Sequence, residues 1–323
     1  MSKTPIQWAG ESWGYQQGCS PKSPGCARCY AERIAKRLAK NPKVPQYTDE
    51  IALWDGTLNF HIPGLIEPLI RRNGTSWFPS MTDPSHENAL DEWIGLTMLV
   101  AALSPQHRFL MLTKRPECTL KWLKSEVAIS VQDAIQIPGT FHLELLSLLK
   151  RCGLEKEWEF IVEAIDKRDR SDAHTKFPLP NVLFGASVED QIRADERMPM
   201  MHQLKQQGWQ TFISAEPLLE EVDLHLDQYP VNWVIIGGES GDKARPFNLG
   251  WGRSLLRQCR DNQIDAFFKQ TGANVVDSAP SVGGTGAELT HWQVDFKDKK
   301  GGNPEEWEKE LQVREVPKIL QLV

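Results

Sequence analysis

Asn232-Trp233-Val234-Ile235-Ile236 runs straight into Gly237-Gly238-Glu239-Ser240-Gly241: an unbroken apolar run, then an abrupt glycine-rich polar stop. A short apolar run without alternation reads as a strand buried on both faces. The same phrase recurs along the chain. Ser76-Trp77-Phe78-Pro79 leads into Ser80-Met81-Thr82-Asp83, and Arg108-Phe109-Leu110-Met111-Leu112 into Thr113-Lys114-Arg115-Pro116. Asn181-Val182-Leu183-Phe184-Gly185-Ala186 leads into Ser187-Val188-Glu189-Asp190, and Gln210-Thr211-Phe212-Ile213 into Ser214-Ala215-Glu216-Pro217. Ala266-Phe267-Phe268 leads into Lys269-Gln270-Thr271-Gly272. Apolar strands alternating with helical patterns predict an α/β fold with a parallel sheet covered on both faces. The expectation is an incomplete (βα) TIM-like barrel of about six or seven strands. Each polar cluster follows its strand, which is the edge where such folds keep their active sites. Ser187, Ser214 and Asp83 also suit helix N-caps. Recurrence after six strands favours a shared polar rim.

Between 119 and 180 the strand phrase stops. Leu143–Lys150 and Trp158–Ile165 read as helices and Lys167–Asp172 as a charged connector, so the region is expected to be a helical insertion. The barrel is assigned to 1–296 and a linker and capping segment to 297–323. Lys297–Pro304 has linker composition, and Glu306–Leu311 is expected to form a short capping helix.

The second informative stretch is Gly18-Cys19-Ser20-Pro21-Lys22-Ser23-Pro24-Gly25-Cys26-Ala27-Arg28-Cys29-Tyr30. It places three of six cysteines in a C-x6-C-x2-C loop, and the helix formers of Ala31–Ala39 follow. Backbone N–H groups at a helix start favour thiolate, the form that holds soft metals and iron–sulfur clusters. Structural zinc and electron-transfer clusters normally take four ligands; three leave a position open for a substrate or cofactor. A zinc site completed by a distant His, a disulfide with a spare thiol, and inert reduced thiols stand as alternatives. Cys118, Cys152 and Cys259 are isolated and read as structural.

The 323 residues carry 40% hydrophobic and 25% charged side chains, ordinary values for a globular protein. No apolar run approaches a bilayer span, and Met1–Pro5 is not followed by a signal core, so a cytoplasmic protein with reduced thiols and no membrane partner is expected. The net charge of -6 does not mark a general nucleic-acid binder. Local basic groups stand out all the same: Arg71-Arg72, Lys114-Arg115 and the run from Arg33 to Lys43.

The Cys loop, NVLFGASVED (181–190), SAEPLL (214–219), WVIIGGESGDKARP (233–246), FFKQTG (267–272), LTKRP (112–116) and WEKELQVREVP (307–317) together resemble a family of unknown function common in phages and prophages, itself similar to radical S-adenosylmethionine (SAM) enzymes. The first Cys gap is wider than the C-x3-C-x2-C usual in that superfamily. The resemblance implies that Cys19, Cys26 and Cys29 hold a 4Fe–4S cluster whose fourth iron binds SAM. Reductive cleavage of SAM would leave a 5′-deoxyadenosyl radical that abstracts a substrate hydrogen. It also implies an electron donor such as a flavodoxin or ferredoxin. Candidate cofactor-binding groups are then Ser80, Asp83, Ser187, Glu189, Ser214, Gly237, Gly238 and Glu239. Lys114, Glu216 and Lys269 are the candidate catalytic groups, and Arg115 is a further donor. The substrate expected is a nucleobase or nucleoside in phage DNA or RNA. A second reading is a zinc- or cluster-stabilised nucleic-acid-binding or nuclease-like protein with Asp83, His86 and Glu87 as metal ligands.

Overall fold

The structure is a computed structural model that describes residues 4, 6–137, 139–166, 173–278 and 291–321. The expected connector Lys167–Asp172 lies outside the described residues. The main sheet has seven parallel strands: β1 (Glu11–Ser12), β2 (Ser76–Phe78), β3 (Arg108–Thr113), β4 (Val182–Ser187), β5 (Gln210–Ala215), β6 (Trp233–Gly237) and β7 (Asp265–Gln270). They lie side by side in chain order, with β1 and β7 as edges. This is the α/β architecture of an incomplete (βα) barrel. All six strands expected from the apolar runs are present. The chain divides into two compact units. One runs to Gly185 and takes in Gln206–Gln210 and the residues from Ile319; the other comprises Ala186–Lys205 and Thr211–Lys318.

In the first unit β1 joins the sheet through Glu11↔Trp77 and Ser12↔Phe78, and β2 pairs with β3 through Ser76↔Arg108 and Trp77↔Phe109. Trp13, just past β1, is buried against Tyr15 and Phe109, and its indole N–H is shared by the carbonyls of Gly64 (3.1 Å) and Leu65 (3.3 Å). α1 (Tyr30–Leu38) lies between β1 and β2, and the crossover from β2 to β3 carries α2 (Asp91–Ala102). From Ile94 on, α2 is buried on every side, and Asp91 and Glu92 in its first turn suit the helix dipole. The insertion adds α3 (Pro116–Trp122), α4 (Glu126–Gln136), α5 (Phe141–Arg151) and α6 (Trp158–Asp166). α4 and α5 pack on α2 at Gly95, where an added Cβ would meet Leu148, Val131 and Val127 side chains at 3.1–3.2 Å.

In the second unit β5 pairs with β6 from Phe212↔Trp233 to Ala215↔Ile236, and β6 with β7 from Asp265↔Trp233 onward. The register of β7 slips between Phe268 and Gln270, so Lys269 sits in a bulge. The crossovers carry α7 (Gln191–Gln206) and α8 (Leu249–Asp261), but Glu216–Asn232 between β5 and β6 has no helix. The C-terminal segment differs from the capping helix expected. It is two short 3-10 turns, Pro304–Glu306 and Lys309–Leu311, followed by an extended stretch on the free edge of β7. Phe268 N–H donates to Val313 O and Glu315 N–H to Ala266 O, both at 2.8 Å. An edge strand presents unpaired N–H and C=O groups, and this stretch satisfies them. Lys297–Pro304, linker-like in composition, is a hydrogen-bonded turn: Gly301 O accepts from Thr271 N–H (2.9 Å) and from the Trp307 indole (3.1 Å).

At Gly238 the backbone approaches a neighbouring strand end closely: a Cβ there would lie 2.2 Å from Thr271 O. Gly238→Ala should therefore cost on the order of 3 kcal/mol or more in urea unfolding, as overpacking against immovable backbone does. Gly14→Ala, where nothing lies within 4 Å, should change stability by less than about 1 kcal/mol. Equal midpoints for the two variants would refute this packing.

Candidate functional site

In the first unit the polar residues after β1, β2 and β3 meet the Cys loop. The loop is anchored at its start by the antiparallel pair Gln16–Gln17 with Asn59–Phe60 and by a bridge between Gly18 and Thr82. Gly18 has φ of +97°, a turn that a side chain would strain. Pro24–Arg28 is a 3-10 turn, and Cys29 is the N-cap of α1. Cys19 and Cys29 back onto an apolar cluster of Ala31, Ala35, Tyr47, Ile51 and Trp54. All six cysteines of the chain are free thiols.

Arg115 fixes this loop. It is only 1% exposed, and each of its five N–H groups has a partner. Nε–H meets Glu87; one Nη reaches Asp83 (3.0 Å) and Cys19 Sγ (4.0 Å); the other reaches Ser20 O (3.0 Å) and Ser20 Oγ (2.9 Å). Asp83 is equally committed. It accepts from Thr113 Oγ1–H (2.5 Å), Lys114 N–H (3.0 Å), Ser85 N–H (3.0 Å) and Arg115. Neither side chain retains capacity for a ligand, so both are positioning residues rather than the donor and acceptor the sequence suggested. His86 is tied in the same way: Nδ1 accepts from Asn88 N–H (3.1 Å), which leaves Nε2–H to donate to Ser20 Oγ (2.8 Å). Burial and the Arg115 charge hold His86 below the usual imidazole range, consistent with that neutral form. Asp83 and His86 are therefore spent on hydrogen bonds, Glu87 gives one oxygen to Arg115, and among the described residues the three do not converge as metal ligands.

Electrostatics separates the three thiols. Burial pushes Cys19 up to about 12, with Asp83 adding to the push and Arg115 opposing it. Burial also raises Cys29, against the N–H groups of Glu32 and Ala31 at the start of α1. Burial acts on Cys26 too, but the Lys114 ammonium and hydrogen bonds from Lys22 N–H (3.4 Å) and Ser23 outweigh it, and Cys26 lies below the usual thiol value. The helix-start effect is present at Cys29 but is overridden by burial; the decisive cation is Lys114. Ser80, another candidate, shares a 2.5 Å hydrogen bond between its Oγ and Ser12 Oγ, and its carbonyl accepts from Tyr30 OH at 2.9 Å.

The second unit holds the remaining candidates. Ser187 closes β4, and its carbonyl accepts from Arg197 at 2.7 Å. Glu189, fully buried, pairs with Arg197 at 3.0 Å. Glu239 is buried and takes hydrogen bonds from Arg245 N–H (2.9 Å), Nε (3.0 Å) and Nη (2.7 Å). Ser214 Oγ–H donates to Glu216 at 3.3 Å, and Lys269 Nζ lies 2.9 Å from the other oxygen of that carboxylate. Gly237 packs on the same group: a Cβ there would meet Glu216 Oε1 at 2.6 Å. Ser214, Glu216, Gly237 and Lys269 thus form one cluster.

Three thiols on one loop are the donor type that an iron–sulfur cluster takes. Cys19 and Cys29 feel each other's charge, as do Cys26 and Cys29, so the thiols lie within electrostatic reach. Among the described residues no three His, Cys, Asp or Glu side chains close on a point as one ion requires. A 4Fe–4S cluster takes one thiolate per iron, so its ligands surround a common cubane rather than a single ion. The sequence reading named Ser20 and Thr113 only as members of their clusters and gave Arg115 as a donor without its partners; nothing in local composition marks an arginine for burial.

Two outcomes test this geometry. Arg115→Met should destabilise the chain by about 3–5 kcal/mol in urea unfolding, because it strands the buried Asp83 charge; a loss under about 1 kcal/mol would contradict the clamp. In metal-free, reduced protein at neutral pH, iodoacetamide should label Cys26 well before Cys19 or Cys29, read by peptide mass spectrometry. Faster labelling of Cys19 would reverse the order argued above.

No curated protein and no solved structure matches the chain. The family described as "Protein of unknown function (DUF5131)" matches residues 3–313, nearly the whole length, and the chain belongs to that family.

Proposed function

We propose that the protein is a radical SAM-type iron–sulfur enzyme acting on a nucleobase or nucleoside of DNA or RNA. The observation that carries this reading is a loop of three free thiols, held by a buried arginine beside a lysine, at the strand ends of an incomplete (βα) barrel. Cys19, Cys26 and Cys29 would hold a 4Fe–4S cluster, and the iron without a protein ligand would take SAM. Such a cluster supplies one-electron reduction of SAM and, through it, hydrogen abstraction. The chain's own contribution is placement and charge. Arg115 fixes the Cys19–Ser20 backbone, so the loop needs little ordering before it binds iron. Lys114 favours the Cys26 thiolate, and its ammonium offsets the negative charge that three thiolates bring. The apolar cluster behind Cys19 and Cys29 keeps water from that side.

The zinc-stabilised, nuclease-like alternative is weaker, because Asp83 and His86 are committed to hydrogen bonds and, among the described residues, the three side chains do not converge.

Anaerobic purification and reconstitution should give about four irons and four sulfides per chain. Changing Cys19, Cys26 or Cys29 to Ala should abolish that content, and Cys259→Ala, a buried thiol of α8, should retain it. Stoichiometric zinc without iron would refute the assignment.

A further inference from the structure

We infer that the exposed face of α1 is a binding surface for single-stranded nucleic acid. The inference builds on the nucleic-acid part of the reading above and is independent of the cluster. Residues 22–43 hold seven Lys or Arg and one acid, Glu32, a charge of +6; the remaining residues then carry -12 in a chain of -6. Arg33, Lys36, Arg37 and Lys40 are all exposed, while Ala31 and Ala35 on the opposite side are buried. The four cations are related by three- and four-residue steps, and the αR turn at Ala39 carries the pattern to Lys40. They therefore form one patch, with neighbours about 5–6 Å apart. Glu32 neutralises Lys36 at 2.5 Å. Helix stabilisation accounts for Lys36 and Arg37, which sit in the last turn where the dipole favours cations. It does not account for Arg33, nearer the N-terminus, or for Lys43 beyond the helix.

A second observation makes the patch more than a solvated face. Tyr30, the first residue of α1, is 44% exposed, yet its hydroxyl is held by Ser80 O at 2.9 Å. A fixed, exposed ring at the end of a cationic stripe is the arrangement that binds unpaired bases: phosphates on the cations, a base on the ring. Tyr30 adjoins Cys29, so a base stacked there lies beside the thiol loop. On a chain that is acidic elsewhere, this face is where a polyanion is attracted.

The test is fluorescence anisotropy of the full chain with a labelled single-stranded oligonucleotide of roughly 20 residues over about 0.05–0.3 M salt. With about four phosphates engaged, log Kd should rise with log salt with a slope near 3. The triple variant Arg33→Ala, Arg37→Ala, Lys40→Ala should bind at least ~10-fold more weakly with a slope lower by about 2. Alanine is a good helix former, and a circular dichroism melt verifies the fold. Tyr30→Leu should lose about tenfold in affinity while keeping the slope. Lys121→Ala, Lys124→Ala, Lys150→Ala, a control triple at other exposed positions, should bind like the parent. The iron-free Cys26→Ala protein should also bind like the parent, which separates this inference from the cluster assignment. Equal binding by parent and α1 triple variant overturns the inference. So does an iron-loaded parent that ignores the oligonucleotide, or one that binds only an acidic flavodoxin or phosphatidylserine vesicles through this face; either result leaves the cluster reading standing.

Discussion

The buried ion pair of Arg115 with Asp83 is the constraint on which the candidate site depends. Taking two charges out of water is costly, and it is recovered only when every lone pair and N–H finds a partner. Here the demand is met by residues from separate parts of the chain: Thr113 and Lys114 at the end of β3, Ser85 and Glu87 after β2, and Cys19 and Ser20 in the Cys loop. Satisfying one guanidinium therefore specifies where three loops lie. Lysine cannot replace it, because three donors on a flexible stem do not cover five directions. The pair's value is geometric, and it explains why a loop with two prolines and two glycines can hold its thiols in place.

Burial and charge then divide the labour among the thiols. Cys19 and Cys29 sit on the apolar cluster and are raised; Cys26 faces Lys114 and is lowered. A protonated thiol must release its proton to bind a metal, so metal held at this loop would be taken up more readily as pH rises. Lys114, the cation that lowers Cys26, comes from the strand end rather than from the loop, which ties the loop's electrostatics to the sheet.

Much of the fold was legible in the sequence because six of its strands are continuous apolar runs, a pattern that a parallel sheet buried on both faces demands. β1 was not legible: two residues, one of them Glu11, carry no periodicity, and their pairing is dictated by Trp77 and Phe78 across the ladder. α4 lies within the expected helical insertion but its bounds could not be read. Val127, Ile129 and Val131 alternate like a strand, and the Ser125 cap, which accepts from Ala128 N–H at 3.2 Å, decides for helix. The tail misled because Glu306–Leu311 has helical composition, while the open edge of β7 offers backbone partners just beyond it. At the site, the cysteines and the strand-end residues could be named, but not their commitments. Whether a carboxylate faces a ligand or an arginine depends on contacts made across tens of residues.

That distinction sorts the second unit's strand-end carboxylates. Glu189 and Glu239 are paired with Arg197 and Arg245, and a guanidinium does not give up its proton in a protein. Those pairs are fixed charges, suited to holding the loops after β4 and β6. Glu216 is different: its partner is Lys269, a point charge on a flexible stem. The bulge in β7 aims Lys269 at that carboxylate, Gly237 leaves room for it, and Ser214 holds its other oxygen. Of these three pairs Glu216–Lys269 is the one not locked by a guanidinium fork, so the packing of Ser214 and Gly237 rather than the cation sets where this carboxylate lies.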